Sequence, residues 1–393
     1  MKAIPGLDAV RALACLWVVA HHVTQRFPPA VRDSQFVSRM LLRGNMGVPI
    51  FFVLSGFLLS LPFWKGYDAG RRMPSLRSYF LKRMARIVPG YYVCLIVCLA
   101  LGAGLVGLWS PRMISALTFT NSFQARFFFP TPTNPPLWSI GIEVLFYLIL
   151  PVFMAGLFRC KTPAGAWLYG LSVVLLIALL TLITSSGMVG NRADGPVDGG
   201  PSTSKDWVIS HNALSLFPHF LVGVYAARLY LSSAKARAPR PRLLFDFLSV
   251  ACLALIFLVD LPRAIPMVWR LQTLGFEYQW PYFHLLVGLL LVALPRSSVV
   301  GPFLEGRFLK WTAKLSFGIY IWHFPILTRL DGLFGKRMPY PWNTLLLYPA
   351  TYLLAYLAAG LSYSLVEGPA LAWAHGDRLG RVAPTPVRSE PTS

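Results

Sequence analysis

Residues 7–23 read LDAVRALACLWVVAHHV, an apolar stretch that nonetheless holds Asp8, Arg11, His21 and His22. In a helix, the eleven residues from Arg11 to His22 make about three turns. The two therefore share nearly one face and stand about 16 Å apart along the axis. His21 points about 80° away from that line. Asp8 precedes Arg11 by three residues and can pair with it at the helix start. Arg11 alone fits either a functional role or ordinary anchoring near the end of a span. A histidine about 15 residues in is harder to explain as anchoring, because ionisable groups at that depth face interior cavities and mark function. An imidazole there can serve as a general base.

Two further segments carry compatible chemistry. In NPPLWSIGIEVLFYLILP (134–151) a span entering from the outer face near Pro136 would place Glu143 about 10 Å below that face. That is about 20 Å from the inner face, the depth His22 reaches from the other side. The match predicts a carboxylate–imidazole pair in which Glu143 fixes the tautomer of His22 and stabilises its imidazolium. In SYFLKRMARIVPGYY (78–92) Arg83 and Arg86 lie one turn apart on one face. Two guanidiniums so placed suit bidentate recognition of phosphate, and a cytoplasmic ligand with several phosphates, such as coenzyme A, fits. Anchoring at the inner membrane surface explains the same two arginines equally simply. His219, His284 and His323 also lie in apolar segments, with His219 and His323 near mid-membrane, and each alone reads as an imidazole bonded to a backbone carbonyl. Glu367 falls near the inner face.

The elements that must position these groups follow from composition. The 393 residues are 55% hydrophobic and 13% charged, against about 25% charged in soluble domains. Runs such as 89–109 and 166–184 are long enough to cross a bilayer. Transmembrane barrels would show shorter, alternating segments. The expected fold is all-α, a polytopic integral membrane protein of about ten transmembrane helices near 7–27, 44–64, 88–109, 136–158, 165–186, 211–231, 243–262, 280–296, 312–330 and 345–373. The net charge of +21 does not point to nucleic acid, since its cations sit in short loops between apolar runs, as topology selection produces. Lys65, Arg71, Arg72, Arg77, Lys82, Arg83 and Arg86 crowd the connection after the second span against one acid, Asp68. That connection is expected inside, and with it both termini. The outer-loop arginines 26, 32, 39 and 43 run against this assignment.

The five cysteines, 15, 94, 98, 160 and 252, show no paired framework and no metal spacing. No small-x-small cleavage site ends the first run, which is expected to remain as a span. The Gly-, Pro- and Asp-rich stretch at 187–210 reads as an external loop. Residues 1–373 are expected to form one transmembrane unit and 374–393 a disordered cytoplasmic tail.

Four segments together resemble membrane-bound acyltransferase family 3, which includes bacterial O-acyltransferases of surface glycans and antibiotics. They are GLDAVRALACLWVVAHH (6–22), GNMGVPIFFVLSGFLLS (44–60), FLKRMARIVPGYY (80–92) and LWSIGIEVLFYLILP (137–151), with weaker similarity in LSFGIYIWHFP (315–325) and SLVEGPA (364–370). Arg11 and His22 match the family's basic residue followed ten residues later by histidine. Arg83 and Arg86 match its Arg-x-x-Arg, and Trp138, Ser139 and Glu143 its Trp-Ser-x-x-x-Glu. Pro49 departs from the pattern, where many members carry aspartate. The fused extracytoplasmic hydrolase-like domain of some members is not seen, so the chain is expected either to act alone or to pass its acyl group to a partner.

The resemblance implies transfer of an acyl group, acetyl foremost, from cytoplasmic acyl-CoA to a hydroxyl of a glycan or lipid-linked sugar, at the inner (plasma) membrane. His22 would be the general base or a transient acyl carrier, with Glu143 orienting or charge-balancing it. Arg83 and Arg86 would hold the coenzyme A phosphates, and Arg11 would contact the pantetheine arm or pin its helix through Asp8. Acyl-CoA, acetyl-CoA in particular, is thus the expected co-substrate, with membrane lipids as surroundings and no metal. Two alternatives compete. One is an acyltransferase acting on a small natural product such as a macrolide sugar. The other is a proton-coupled transporter, which buried ionisable groups would also serve.

Overall fold

The computed structural model describes residues 4–32, 35–70, 73–102, 110–123, 127–185, 211–234, 242–258, 278–335 and 337–376. The described residues form helices and turns, with no strand among them. Among the described residues, ten longer helices overlap the expected spans: α1 (Leu7–Thr24), α2 (Gly47–Asp68), α3 (Leu76–Gly102), α4 (Trp138–Leu157), α5 (Pro163–Ser185), α6 (Ala213–Ala234), α7 (Arg242–Leu258), α8 (Tyr282–Ala293), α9 (Arg307–Leu330) and α10 (Trp342–Ser362).

Among the described residues, seven helical stretches are long and apolar enough to cross a membrane: Leu7–Thr24, Phe36–Asp68, Leu76–Leu101, Pro135–Leu157, Pro163–Ile183, Ala213–Ser233 and Trp342–Gly376. The remaining three expected spans fall short for different reasons. α7 has 17 residues, and its expected continuation lies outside the described residues. α8 has 12 residues before a 3₁₀ turn through Arg296. α9 has length but not apolarity, because Lys314, Ser316, Tyr320 and His323 lie along it.

The third span begins twelve residues before the expected 88. Its first three turns, LRSYFLKRMAR, hold no glycine or proline and are rich in helix formers, so α3 runs through the basic segment. Arg83 and Arg86 therefore project from a helix rather than a loop. The last helical segment continues to Gly376. The expected external loop and all but three residues of the expected tail lie outside the described residues.

α2 and α6 cross closely at two glycines. A Cβ on Gly223 would lie 1.9 Å from the Val53 carbonyl oxygen, and one on Gly56 would lie 2.0 Å from that of Phe220. Membrane helices lack a hydrophobic drive to associate, so close backbone approach at small residues supplies the packing. Gly223→Ala is expected to destabilise the protein by about 3 kcal/mol, the upper end for an overpacked interior, with thermal unfolding in detergent as the check. On the periphery, Leu168, Leu171, Leu175 and Leu179 of α5 point outward, as a lipid-facing helix requires.

The helices that matter for chemistry are α1 and α9. They run parallel and in register: Gly6 N donates to Glu305 Oε1 at 2.6 Å, Cys15 Sγ donates to the Ser316 carbonyl at 3.3 Å, and His22 meets His323 at 3.0 Å. α10 covers them, with Tyr352 Oη donating to the Leu16 carbonyl at 2.7 Å.

Candidate active site

α1, α2, α3, α4 and α9 enclose a cavity of about 70 Å³. Arg11, Ser55, Arg86, Ser139, Glu143 and Tyr320 supply polar atoms to its wall, and Phe51, Phe52 and Phe317 much of the rest. Glu143 is anchored as an acceptor: Ser55 Oγ donates to its Oε1 at 2.9 Å, and Tyr147 Oη to the same oxygen at 2.6 Å. Arg11 lies within electrostatic reach of Glu143, Arg86 and Asp8. A carboxylate on the same cavity wall as two guanidiniums offsets part of the cost of burying their charge.

Arg86 lines this cavity and also a smaller one that it shares with Lys314 and Glu367. Glu367 is held by Ser362, whose Oγ donates to its Oε1 at 2.9 Å. Arg83 lines neither cavity. It lies within electrostatic reach of Tyr147, as Arg86 does, and its Nε is buried without a hydrogen bond. The two arginines of one turn thus face different surroundings.

At the other end of the cavity, Ser139 and Tyr320 meet at 2.7 Å, and Tyr320 Oη donates to the Pro136 carbonyl at 2.9 Å. One turn further along α9 stands His323, buried, with its Nδ1 at 2.6 Å from the Tyr320 carbonyl. Its Nε2 lies 3.0 Å from Nδ1 of His22, which is also 3.0 Å from the Val18 carbonyl. His22 does not line the cavity and does not pair with Glu143.

The expected depth match therefore fails, for a local reason. Asn134, just before α4, is buried and donates from Nδ2 to the Ile321 carbonyl at 2.8 Å. α4 accordingly starts at the level of mid-α9 rather than at an outer face. Glu143, one turn beyond Ser139, then lies toward Arg11, about two helical turns from the histidine pair. His21 is turned elsewhere, with Nδ1 on the Leu42 carbonyl and Nε2 at 3.1 Å from Gln25 Nε2.

The histidines expected to bond backbone carbonyls divide. His323 does so. His219 and His284 instead pack together with ring centroids 3.9 Å apart and ring planes tilted by 37°, and their ring nitrogens have no hydrogen-bond partner among the described residues. Ser55, Tyr147 and Tyr320 were not singled out as site residues by sequence reasoning. Tyr320 and His323 do fall in the segment LSFGIYIWHFP, whose polar residues within an apolar run were the available signal.

One polar column thus runs from Arg86 and Arg11, past Glu143, to Ser139, Tyr320 and the two histidines. A family model described as an acyltransferase domain matches residues 4–360. The chain belongs to acyltransferase family 3. The chain is 25% identical over 386 residues to the peptidoglycan O-acetyltransferase OatA of Listeria monocytogenes, covering 94% of this chain and 56% of the relative. It is 26% identical to the putative peptidoglycan O-acetyltransferase YrhL of Bacillus subtilis, with 94% and 55% covered. A putative O-acetyltransferase of Staphylococcus aureus is 24% identical, with 94% and 57% covered. The chain spans little more than half the length of these relatives. No solved structure gives a significant match.

Proposed function

We propose that this member of acyltransferase family 3 is a multi-pass membrane O-acetyltransferase that takes an acetyl group from acyl-CoA and delivers it to a hydroxyl of a glycan. The observation that carries the reading is the polar column, with cations at one end and a base at the other. The names of the relatives support the glycan acceptor. The reading includes the ten-helix topology with cytoplasmic termini in the plasma membrane, which brings Arg83 and Arg86 to the inner side, where acyl-CoA is available.

The residues divide the work. Arg86, with Arg83 beside it, binds phosphate oxygens through charge-assisted hydrogen bonds. Glu143 keeps Arg11 and Arg86 oriented and limits the net positive charge of the cavity. His22 Nε2 takes the proton of the acceptor hydroxyl, whose electron pair stays on the oxygen as it attacks the acyl carbon. The thioester C–S bond breaks, and His22 returns the proton to the departing thiolate. The products are an O-acyl ester and the free thiol of coenzyme A. A route in which His22 carries the acyl group uses the same ring nitrogen.

Two measurements on the purified full-length chain test this. Labelled acetyl-CoA with a muropeptide mixture as acceptor probe should yield alkali-labile acetyl esters. Proteoliposomes that translocate protons without releasing coenzyme A thiol would instead return the chain to the carrier class. Arg86→Ala is expected to raise KM for acetyl-CoA about 10- to 100-fold, the worth of one lost charged hydrogen bond at about 1.5–3 kcal/mol. Arg83→Ala should cost less, since Arg83 does not line the cavity. An unchanged KM in the Arg83→Ala, Arg86→Ala double variant would remove the phosphate role.

A further inference from the structure

We infer that His323 is a positioning residue for His22: it accepts a hydrogen bond from His22 Nδ1–H, fixes the tautomer of that ring and leaves Nε2 as its one basic atom. The inference rests on the reading of His22 as the reactive base.

The argument is a count of protons. The Tyr320 carbonyl can only accept, and His323 Nδ1 lies 2.6 Å from it, so that nitrogen carries hydrogen. In a neutral imidazole the other nitrogen is then an acceptor, so His323 Nε2 presents a lone pair. His22 Nδ1 is 3.0 Å from that lone pair and 3.0 Å from the Val18 carbonyl, which again can only accept. Both neighbours call for hydrogen on His22 Nδ1. Its Nε2 is left with the lone pair, and Nε2 has no hydrogen-bond partner among the described residues.

The arrangement is directional, from His22 Nδ1–H to His323 Nε2 and from His323 Nδ1–H to the Tyr320 carbonyl. Catalytic imidazoles elsewhere are held this way by a carboxylate. Here the holding group is a neutral ring, itself held by α9. When His22 takes a proton at Nε2, its Nδ1–H becomes a stronger donor, and the bond to His323 strengthens as charge develops. His323 does not line the cavity, and its Nε2 is taken up by His22, so its effect passes through His22. The register of α1 against α9 keeps the two rings in line, and the same strand of contacts links them to Tyr320 and Ser139 at the cavity end.

The experiment compares full-length His323→Leu, His323→Phe and His323→Gln with wild type, using acetyl-CoA and the muropeptide probe, with thermal unfolding checked for each. Leu and Phe offer no acceptor to His22. Their kcat is expected to fall about 10- to 100-fold, as when orienting partners of functional imidazoles are removed, with KM for acetyl-CoA within about two-fold of wild type. The Gln side-chain oxygen reaches the position of Nε2 and accepts, so His323→Gln should recover kcat to within a few-fold of wild type. Wild-type kcat in a folded Leu or Phe variant overturns the inference. So does a Gln variant that falls as far as they do, or one that alone folds and still loses more than about 10-fold. His22→Ala separates the two levels: if it retains transfer, the reading of the site fails, whereas if it is inactive while His323→Leu is not, only the role of His323 fails.

Discussion

Replacing His22 with alanine is expected to lower kcat for acetyl transfer by about 10²- to 10⁴-fold, the range supplied by a positioned acid–base group, while KM for acetyl-CoA changes little. The expectation follows from where the ring sits. His22 lies on α1 at the histidine end of a column whose cavity-lining cations are Arg11, about three turns away on the same helix, and Arg86. Removing the imidazole therefore leaves the arginine end of the column untouched. It also removes ring contacts with His21, His323 and Phe324 and the partner of His323 Nε2, so thermal unfolding of the variant accompanies the assay. His21→Ala is the matching control. It breaks bonds to the Leu42 carbonyl and Gln25, which costs stability and leaves kcat within a few-fold. The assay is single-turnover release of coenzyme A thiol by detergent-solubilised protein. Equal kcat in wild type and His22→Ala would remove His22 from both the base and the carrier routes.

The contrast between His21 and His22 was legible in the sequence because it depends only on helix periodicity. The one-turn spacing of Arg83 and Arg86 was legible on the same ground, but not that Arg86 lines the cavity and Arg83 does not. What needed the structure is everything set by one helix against another. His323 stands 301 positions from His22, and its role depends on the register of α9 beside α1, which no local pattern encodes. The expected Glu143–His22 pair failed because depth was counted from an assumed outer face, whereas Asn134 carries the start of α4 down to Ile321. Span counting met the same limit at α9. Its polar residues, which make it fall short as an apolar span, are the ones that line the cavity and hold His22.

Glu143→Leu is expected to be the most destabilising of the cavity substitutions, at about 3 kcal/mol, and to abolish measurable transfer. Two donors, Ser55 Oγ and Tyr147 Oη, lose their common acceptor. Each buried donor left unpaired costs about 1–3 kcal/mol. In addition, Arg11 and Arg86 would face one another across a cavity with no carboxylate on its wall. Arg11 and Glu143 are half-buried and linked by electrostatic attraction rather than by a hydrogen bond, so this adds less than the roughly 3–5 kcal/mol of a broken buried ion pair. Replacing both members behaves differently. In Arg11→Leu, Glu143→Leu no charge of this pair is stranded, and the double variant should be more stable than Glu143→Leu alone. Thermal unfolding of the four proteins closes a double-mutant cycle, with a coupling of about 1–2 kcal/mol expected between two sites in one network. Strictly additive losses would mean that Arg11 and Glu143 do not sense each other, and Arg11 would then be an anchor of α1 rather than part of the column. Activity gives the second readout: because the double variant still lacks the carboxylate that shares the cavity wall with Arg86, it should fold and yet fail to transfer acetyl.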